Sequence, residues 1–285
     1  MAKSVTSKTA LATVTHHGLE TSGFRDFYHN MLTLSWIRYL LVMVAGYLVI
    51  NLFFGLIYFS LPGGIANAAP GSFLHAYAFS VQTMATIGYG VFAPHTPLAH
   101  GTVILESIVS LIYTALCTGL TFAKFSRPNA RIRFSKTAIL TKFEGTDALM
   151  FRIANARTNV VLQASVRVAA VKNVITDQGY RMRRQFDLTL VRDNSMVFVL
   201  PWTVIHKIDE NSPLYGLSKD EMEACDLSLA IAMAGIDDIF SSQIHAFHSY
   251  QYKDLEPAVR FVDMMSFDKA RHGRVDHHLL SEVVK

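Results

Sequence analysis

The run Thr83-Met84-Ala85-Thr86-Ile87-Gly88-Tyr89-Gly90 holds the densest structural information in the chain. Within Thr86–Gly90, Gly88 and Gly90 reach positive φ without a Cβ penalty, so the peptide planes there are free to alternate. Alternation aims successive carbonyl oxygens at one axis, where they replace the water shell of a dehydrated cation. Thr86 adds a hydroxyl ligand below those carbonyls, and Tyr89 is expected to point away and brace the loop through its ring and phenol. One chain supplies one wall of such a site, so the reading requires a symmetric ring of copies. An ordinary glycine turn after a helix is the competing interpretation, and the flanking sequence arbitrates.

Charge placement favours the pore. The 285 residues are 51% hydrophobic and only 17% charged, a balance that points to membrane-spanning segments. Between Arg38 and Lys124 the only Lys, Arg, Asp or Glu is Glu106, and most other charges fall in the C-terminal half. A net charge of +4 is too small to argue for nucleic acid. Cys117 and Cys225 fall in different candidate domains without metal-ligand spacing, so no disulfide is expected and the C-terminal half suits a reducing compartment. Residues 1–20 lack the apolar core of a cleavable leader.

In chain order, residues 1–22 are polar and unpatterned, a flexible N-terminus on the cytoplasmic side. Residues 23–36 are amphipathic and predict a slide helix along the inner membrane surface, with Trp36 at interfacial depth. Residues 37–127 form the pore domain. In it, Tyr39–Phe59 is charge-free and long enough for one crossing, with Asn51 expected to bond inside the protein. Ser72 is a candidate N-cap for a helix to Ala85, too short to cross and ending at the glycine loop. Its carbonyls would be unsatisfied unless they faced a watery cavity, and its negative dipole end would favour a cation there. Leu98–Ala123 is the second span. Glu106 within it is placed behind the loop as hydrogen-bonding support, and Phe122 is a candidate hydrophobic gate. Lys124, Arg127, Arg131 and Arg133 then join Lys3, Lys8, Arg25 and Arg38 on one side, which places both termini in the cytoplasm. The same basic cluster sits where anionic lipid headgroups lie.

Residues 128–285 change to period two. Strands are expected at Leu149–Ile153, Val160–Val171, Phe186–Val191, Met196–Leu200, Leu227–Met233, Ile244–Tyr252 and Val259–Met264, which together suggest a β-sandwich. His206, Asp209 and Glu210 end a strand without a nucleophile nearby and read as turn residues, so hydrolysis finds no support and no enzyme is indicated.

Three further runs carry a resemblance: Ala123-Lys124-Phe125-Ser126-Arg127-Pro128, Met150-Phe151-Arg152-Ile153-Ala154-Asn155-Ala156-Arg157 and His206-Lys207-Ile208-Asp209-Glu210-Asn211-Ser212-Pro213-Leu214-Tyr215-Gly216. With the glycine loop, which is close to the TVGYG filter of potassium channels, they make the sequence similar to prokaryotic inward rectifier potassium channels over nearly its whole length. The resemblance implies a homotetramer: a two-span pore module with a re-entrant pore helix and filter, then a cytoplasmic immunoglobulin-like β-sandwich. It implies potassium at the carbonyls of Thr86, Ile87, Gly88 and Tyr89 as the permeant ligand, with no cofactor, in a bacterial inner membrane. It places Phe122 at the inner-helix constriction and Gly235, Ile236, Asp237, Asp238, Phe240 and Ser241 in a second narrowing of the cytoplasmic pore. Arg25, Lys124 and Arg127 fall where related channels read phospholipid headgroups, and polyamine, Mg2+ or Ba2+ are implied as pore blockers.

The sequence departs from strong rectifiers at Thr114 and Gln178, where an acidic residue is usual. Asp237 and Asp238 are expected to compensate in part, so weak rectification is the expectation. A membrane-anchored sensory protein does not need a half-helix ending in this loop, and a voltage-gated channel would need a helix of repeated arginines. A weakly selective cation pore is the closer rival.

Overall fold

The computed structural model describes residues 5–8, 13–16, 26–126, 131–267 and 273–284, with backbone alone for 5–8, 13–16 and 267. Two compact units emerge: Glu20–Arg127, and Pro128–Lys285 together with Met1–Leu19. In the N-terminal segment, β1 (Val5–Lys8) pairs antiparallel with β2 (Thr13–His16).

In the helical unit, α1 (Phe27–Thr33) ends at Leu34, and α2 (Trp36–Phe59) starts after Ser35. The expected amphipathic helix is therefore shorter at its C-terminal end within the described residues. Trp36 belongs to the long helix, because Leu34 and Ser35 take extended ψ values of 151° and 155°. The hairpin pair β3 (Ile65–Ala66) and β4 (Ala93–Pro94) brackets α3 (Phe73–Met84), and α4 (Pro97–Phe125) follows. Ser72 caps α3 by accepting from His75 N, and Thr96 caps α4 ahead of Pro97, whose missing N–H costs nothing in the first turn. At 24 and 29 residues, α2 and α4 are long and apolar enough to cross a membrane. The 12 residues of α3 reach only about half as far.

The second unit contains two five-stranded sheets. Its strands are β5 (Ile132–Phe134), β6 (Ala138–Phe143), β7 (Thr146–Asn155), β8 (Val161–Ile175), β9 (Arg181–Asp187), β10 (Asn194–Phe198), β11 (Trp202–Lys207), β12 (Ser228–Asp237), β13 (Ser242–Gln251) and β14 (Leu255–Pro257). One sheet runs β10-β8-β12-β13 with β9 also on β8; the other runs β11-β7-β6-β14 with β5 also on β7. Period-two burial makes this a sandwich: Val166, Val168, Leu229, Ile231 and Met233 from one sheet meet Leu149, Phe151, Ile153 and Val204 from the other in a single core. Tyr250 and Ser135 stitch the sheets, the phenol donating to Ser135 O at 2.8 Å. Short pairs β15 (Arg260–Phe261) with β18 (Val283–Val284), and β16 (Met265–Phe267) with β17 (Gly273–Val275), complete the unit.

Several expected strands move. The one expected at Phe186–Val191 is instead β9, ending at Asp187; its Arg181-Met182-Arg183-Arg184 start is exposed and gives no apolar alternation. Val259–Met264 reduces to the two residues of β15. Both β6 and β11 have no counterpart among the expected strands. In β11 a buried His206 occupies an inward slot usually held by an apolar residue. Its ring nitrogens are engaged by Thr189 O at 2.7 Å and Ser212 Oγ at 2.8 Å, which leaves it a structural residue. The helix α5 (Lys219–Ala224), opened by the reciprocal Ser218–Glu221 capping box, is likewise additional.

Candidate ion-conduction site

Helix α3 ends at Met84, Ala85 caps it, and the glycine loop begins at Thr86. Thr86, Gly88 and Gly90 have φ of +55°, +60° and +81°. Left-handed residues at every second position are the backbone signature of alternating peptide planes. Glycine explains two of the three. Thr86 is β-branched, so its left-handed conformation costs energy that the loop's other contacts must offset. Those contacts are local: Thr86 N donates to Thr83 O at 3.1 Å, and Ile87 N to Gln82 O at 2.9 Å.

The carbonyls at the end of α3 correct one expectation. Val81 O accepts from Ala85 N, Gln82 and Thr83 serve the loop, and Met84 O accepts from Ser110 Oγ at 2.6 Å. The loop and α4 satisfy them, so the cavity is not needed for that purpose, although the dipole end remains. Tyr89 is 72% exposed in the single chain, so any brace for its ring comes from outside that chain. Downstream, Asn67 Nδ2 donates to Val91 O at 2.8 Å and fixes the chain as it leaves the loop.

Behind the loop lies a buried polar cluster. Glu106 is fully buried in α4 and accepts from Tyr58 of α2 at 2.6 Å and Ser80 of α3 at 2.5 Å. One carboxylate thereby joins α2, α3 and α4. Asn51 donates to Tyr47 O at 2.8 Å and contacts Met84 Sδ at 3.1 Å. Sequence reasoning singled out Glu106 and Asn51 but missed Tyr58, Ser80 and Ser110. The missed signal was polar side chains inside apolar helices that must find partners.

On α4, Ala99, Glu106, Ser110, Leu120 and Lys124 are buried at helical spacing. Thr114 and Phe122 are exposed on other faces of the helix, Phe122 at 74%. Lys124 corrects the sequence reading. Instead of facing headgroups it is buried, and its ammonium donates to Leu32 O at 3.1 Å and Leu34 O at 2.6 Å. Arg25 and Arg127 lie outside the described residues.

In the sandwich, Gln178 sits exposed in the β8–β9 turn beside Gly179, whose φ is +80°. The stretch from Gly235 to Ser241 ends β12 and turns into β13. Gly235 is required by close approach: a Cβ there would stand 2.5 Å from Val161 Cγ1, beside the bulge between Ala234 and Ile236. Asp237 does not present its charge to a lumen. It is 3% exposed; one oxygen accepts from Asn159 at 2.8 Å, and the other accepts from the backbone N of Ile239 and Phe240 at 3.0 and 3.2 Å. Asp238 is exposed and accepts from Val160 N at 3.1 Å. The turn instead exposes Ile239 and Phe240, at 69% and 56%. Asn159 and the packing role of Val161 were not found from sequence, since they depend on a strand register set by residues far along the chain.

Two membrane-length helices flank a half-helix that ends in an alternating glycine loop, and a β-sandwich unit follows; this is the makeup of a pore-loop cation channel with a soluble domain. The inward rectifier potassium channel C-terminal domain family matches residues 132–285, and an ion channel family matches residues 46–127. The inward rectifier potassium channel Kirbac3.1 of Paramagnetospirillum magnetotacticum is 39% identical over 254 residues, covering 89% of this chain and 86% of that protein. The human inward rectifier potassium channel 4 is 30% identical over 290 residues, covering 88% of this chain and 65% of that protein. The chain belongs to the inward rectifier potassium channel family, and the stronger match to the bacterial relative places it with the prokaryotic members. A solved sporulation control protein, Spo0M of Bacillus subtilis, aligns over 46% of this chain and 50% of its own at 8% identity and a TM-score of 0.28, too remote to bear on the fold.

Proposed function

We propose that four copies assemble around Thr86–Gly90, so that potassium sheds water onto the carbonyls of Thr86, Ile87, Gly88 and Tyr89 and passes without a cofactor. The observation that carries this is the left-handed φ at Thr86, Gly88 and Gly90 directly after α3. The exposure of Tyr89 supports a ring, because a neighbouring copy is the natural brace for a phenol its own chain leaves uncovered. Glu106 supports the filter from behind, Thr114 faces the cavity, and Phe122 is the inner gate. The basic residues after α4 favour a cytoplasmic location for both termini in a bacterial inner membrane.

Rectification in this reading is weak. Thr114 and Gln178 carry no charge, and Asp237 is spent on Asn159 and two backbone N–H groups. Only Asp238 remains as a carboxylate for polyamine or Mg2+ block in the turn formed by Gly235, Ile236, Asp237, Asp238, Phe240 and Ser241. Anionic phospholipid is a modulator in this reading, drawn by the basic residues near the inner membrane surface.

Rubidium uptake into vesicles holding purified protein tests the reading. Uptake blocked by barium and far above sodium uptake is expected. Equal uptake of the two ions would leave the weakly selective pore as the better account. Spermine or Mg2+ on the cytoplasmic side should bend the current–voltage curve only slightly, and steep block would overturn the assignment of weak rectification.

A further inference from the structure

Met84 is the last residue of α3, two positions before the left-handed Thr86, and it is buried. Two other helices hold it, one through its backbone and one through its side chain. The Met84 carbonyl accepts from Ser110 Oγ of α4 at 2.6 Å, and its thioether sulfur accepts from Asn51 Nδ2 of α2 at 3.1 Å. Both donors are buried, Ser110 at 5% and Asn51 at 0% exposure, so neither has water as an alternative partner. The Asn51 amide is fixed in turn, because the same nitrogen donates to Tyr47 O one turn earlier in α2 at 2.8 Å. The carbonyl contact differs in kind from those beside it. Val81 O, Gln82 O and Thr83 O are closed by the backbone N–H groups of Ala85, Ile87 and Thr86. Met84 O is instead held by a side chain of another helix. A peptide plane with an anchored oxygen resists rotation, so Ser110 fixes the plane between Met84 and Ala85 and the direction in which the chain enters Thr86. That direction matters, because a β-branched residue takes a φ of +55° only where its surroundings impose it.

We propose that Ser110 is a positioning residue for ion selectivity, with Asn51 as its counterpart on α2: together they hold Met84 so that its carbonyl stays on α4 and the row of ion-binding carbonyls begins at Thr86. This role rests on the reading of Thr86–Gly90 as a potassium filter. Without the Ser110 hydroxyl, Met84 O is a buried acceptor with no partner, a state that costs more than a local rearrangement. The plane between Met84 and Ala85 then turns its oxygen toward water or an ion below Thr86. An extra oxygen on a loosened plane changes both the number and the rigidity of the ligands at the inner end of the filter. Discrimination between potassium and sodium depends on those ligands, whether through cavity size or through carbonyl field strength.

Ser110→Ala removes the donor and little else. In planar bilayers it should lower the ratio of potassium to sodium permeability about tenfold, the scale set by one orphaned buried acceptor. Ser110→Thr keeps the hydroxyl and should keep the wild-type ratio; an equal loss in both variants would assign the effect to packing and overturn the proposal. Met84→Leu nearly preserves volume and removes only the sulfur acceptor, so it should act in the same direction and more weakly. A second readout needs no open channel. Bound potassium stabilises the assembly that binds it, so wild-type tetramer in detergent should dissociate at a higher temperature in potassium chloride than in sodium chloride. Ser110→Ala should narrow that difference. A fall of dissociation temperature by the same amount in both salts, with an unchanged permeability ratio, would make Ser110 a packing residue and overturn its positioning role. If Ser110→Ala does not assemble, Met84→Leu carries both comparisons, and wild-type values in it would likewise overturn the role. The wild type separates the two levels of the reading. A wild type that prefers potassium beside variants that match it sinks the positioning role alone, whereas a wild type without preference in either measurement sinks the filter reading and this role with it.

Discussion

Glu106 shows what a single residue does in this molecule. A carboxylate removed from water is tolerated only when its lone pairs are filled, and here Tyr58 and Ser80 fill them at 2.6 and 2.5 Å. Ser80→Ala should therefore cost about 1–3 kcal/mol of tetramer stability by leaving one oxygen unpartnered. The check is the temperature at which detergent-solubilised tetramer dissociates, and an unchanged temperature would mean the cluster is not structural. Gly235→Ala forces a Cβ to 2.5 Å from Val161 Cγ1, an overpacking cost of about 1–3 kcal/mol. Adding Val161→Ala should recover most of that loss, and failure to recover it would show that backbone conformation, not crowding, requires the glycine. His248 is stacked on Phe134 at 4.8 Å and edge-on to Tyr250 at 4.6 Å, and burial holds its pKa below the ordinary value despite nearby Asp254. The unfolded chain therefore takes up the proton more readily, so this residue withdraws stability as pH falls below about 6.5. His248→Phe should flatten the fall of melting temperature with acidification; an unaltered slope would assign the acid sensitivity elsewhere.

Elements were readable where one period ran uninterrupted. The long apolar stretches became α2 and α4, and Ser72 capped α3 as its position before an apolar run implied. Period two located β7, β8, β12 and β13, whose inward valines and leucines form the sandwich core. The misses share a cause. Arginines of β9 and the histidine of β11 occupy strand positions because pairing and hydrogen bonds at those sites outweigh local preference. The glycine loop announced itself through Gly88 and Gly90, but the left-handed Thr86 had no local signal, since a β-branched residue disfavours that region. The inward turns of Lys124 and Asp237 were equally hidden: a charge in sequence does not reveal whether carbonyls or amides await it. At this scale the proposed gate, Phe122, is the clearest target. Phe122→Ala should raise the open fraction by removing the exposed ring at the end of α4, and unchanged single-channel opening would move the constriction elsewhere, with Ile239 and Phe240 the next candidates.

The whole molecule combines a helical unit organised around one buried carboxylate with a sandwich organised around one shared core. Neither Tyr89 nor the carbonyl axis is complete in a single chain, which is why the function belongs to a ring of copies. The central claim is that carbonyls of Thr86–Gly90 distinguish potassium from sodium. Its most direct test is the reversal potential of single channels in a planar bilayer with potassium chloride on one side and an equal concentration of sodium chloride on the other. The account predicts a potential displaced far from zero in the sense of potassium flow; reversal at zero, with both cations carrying equal current, would contradict it.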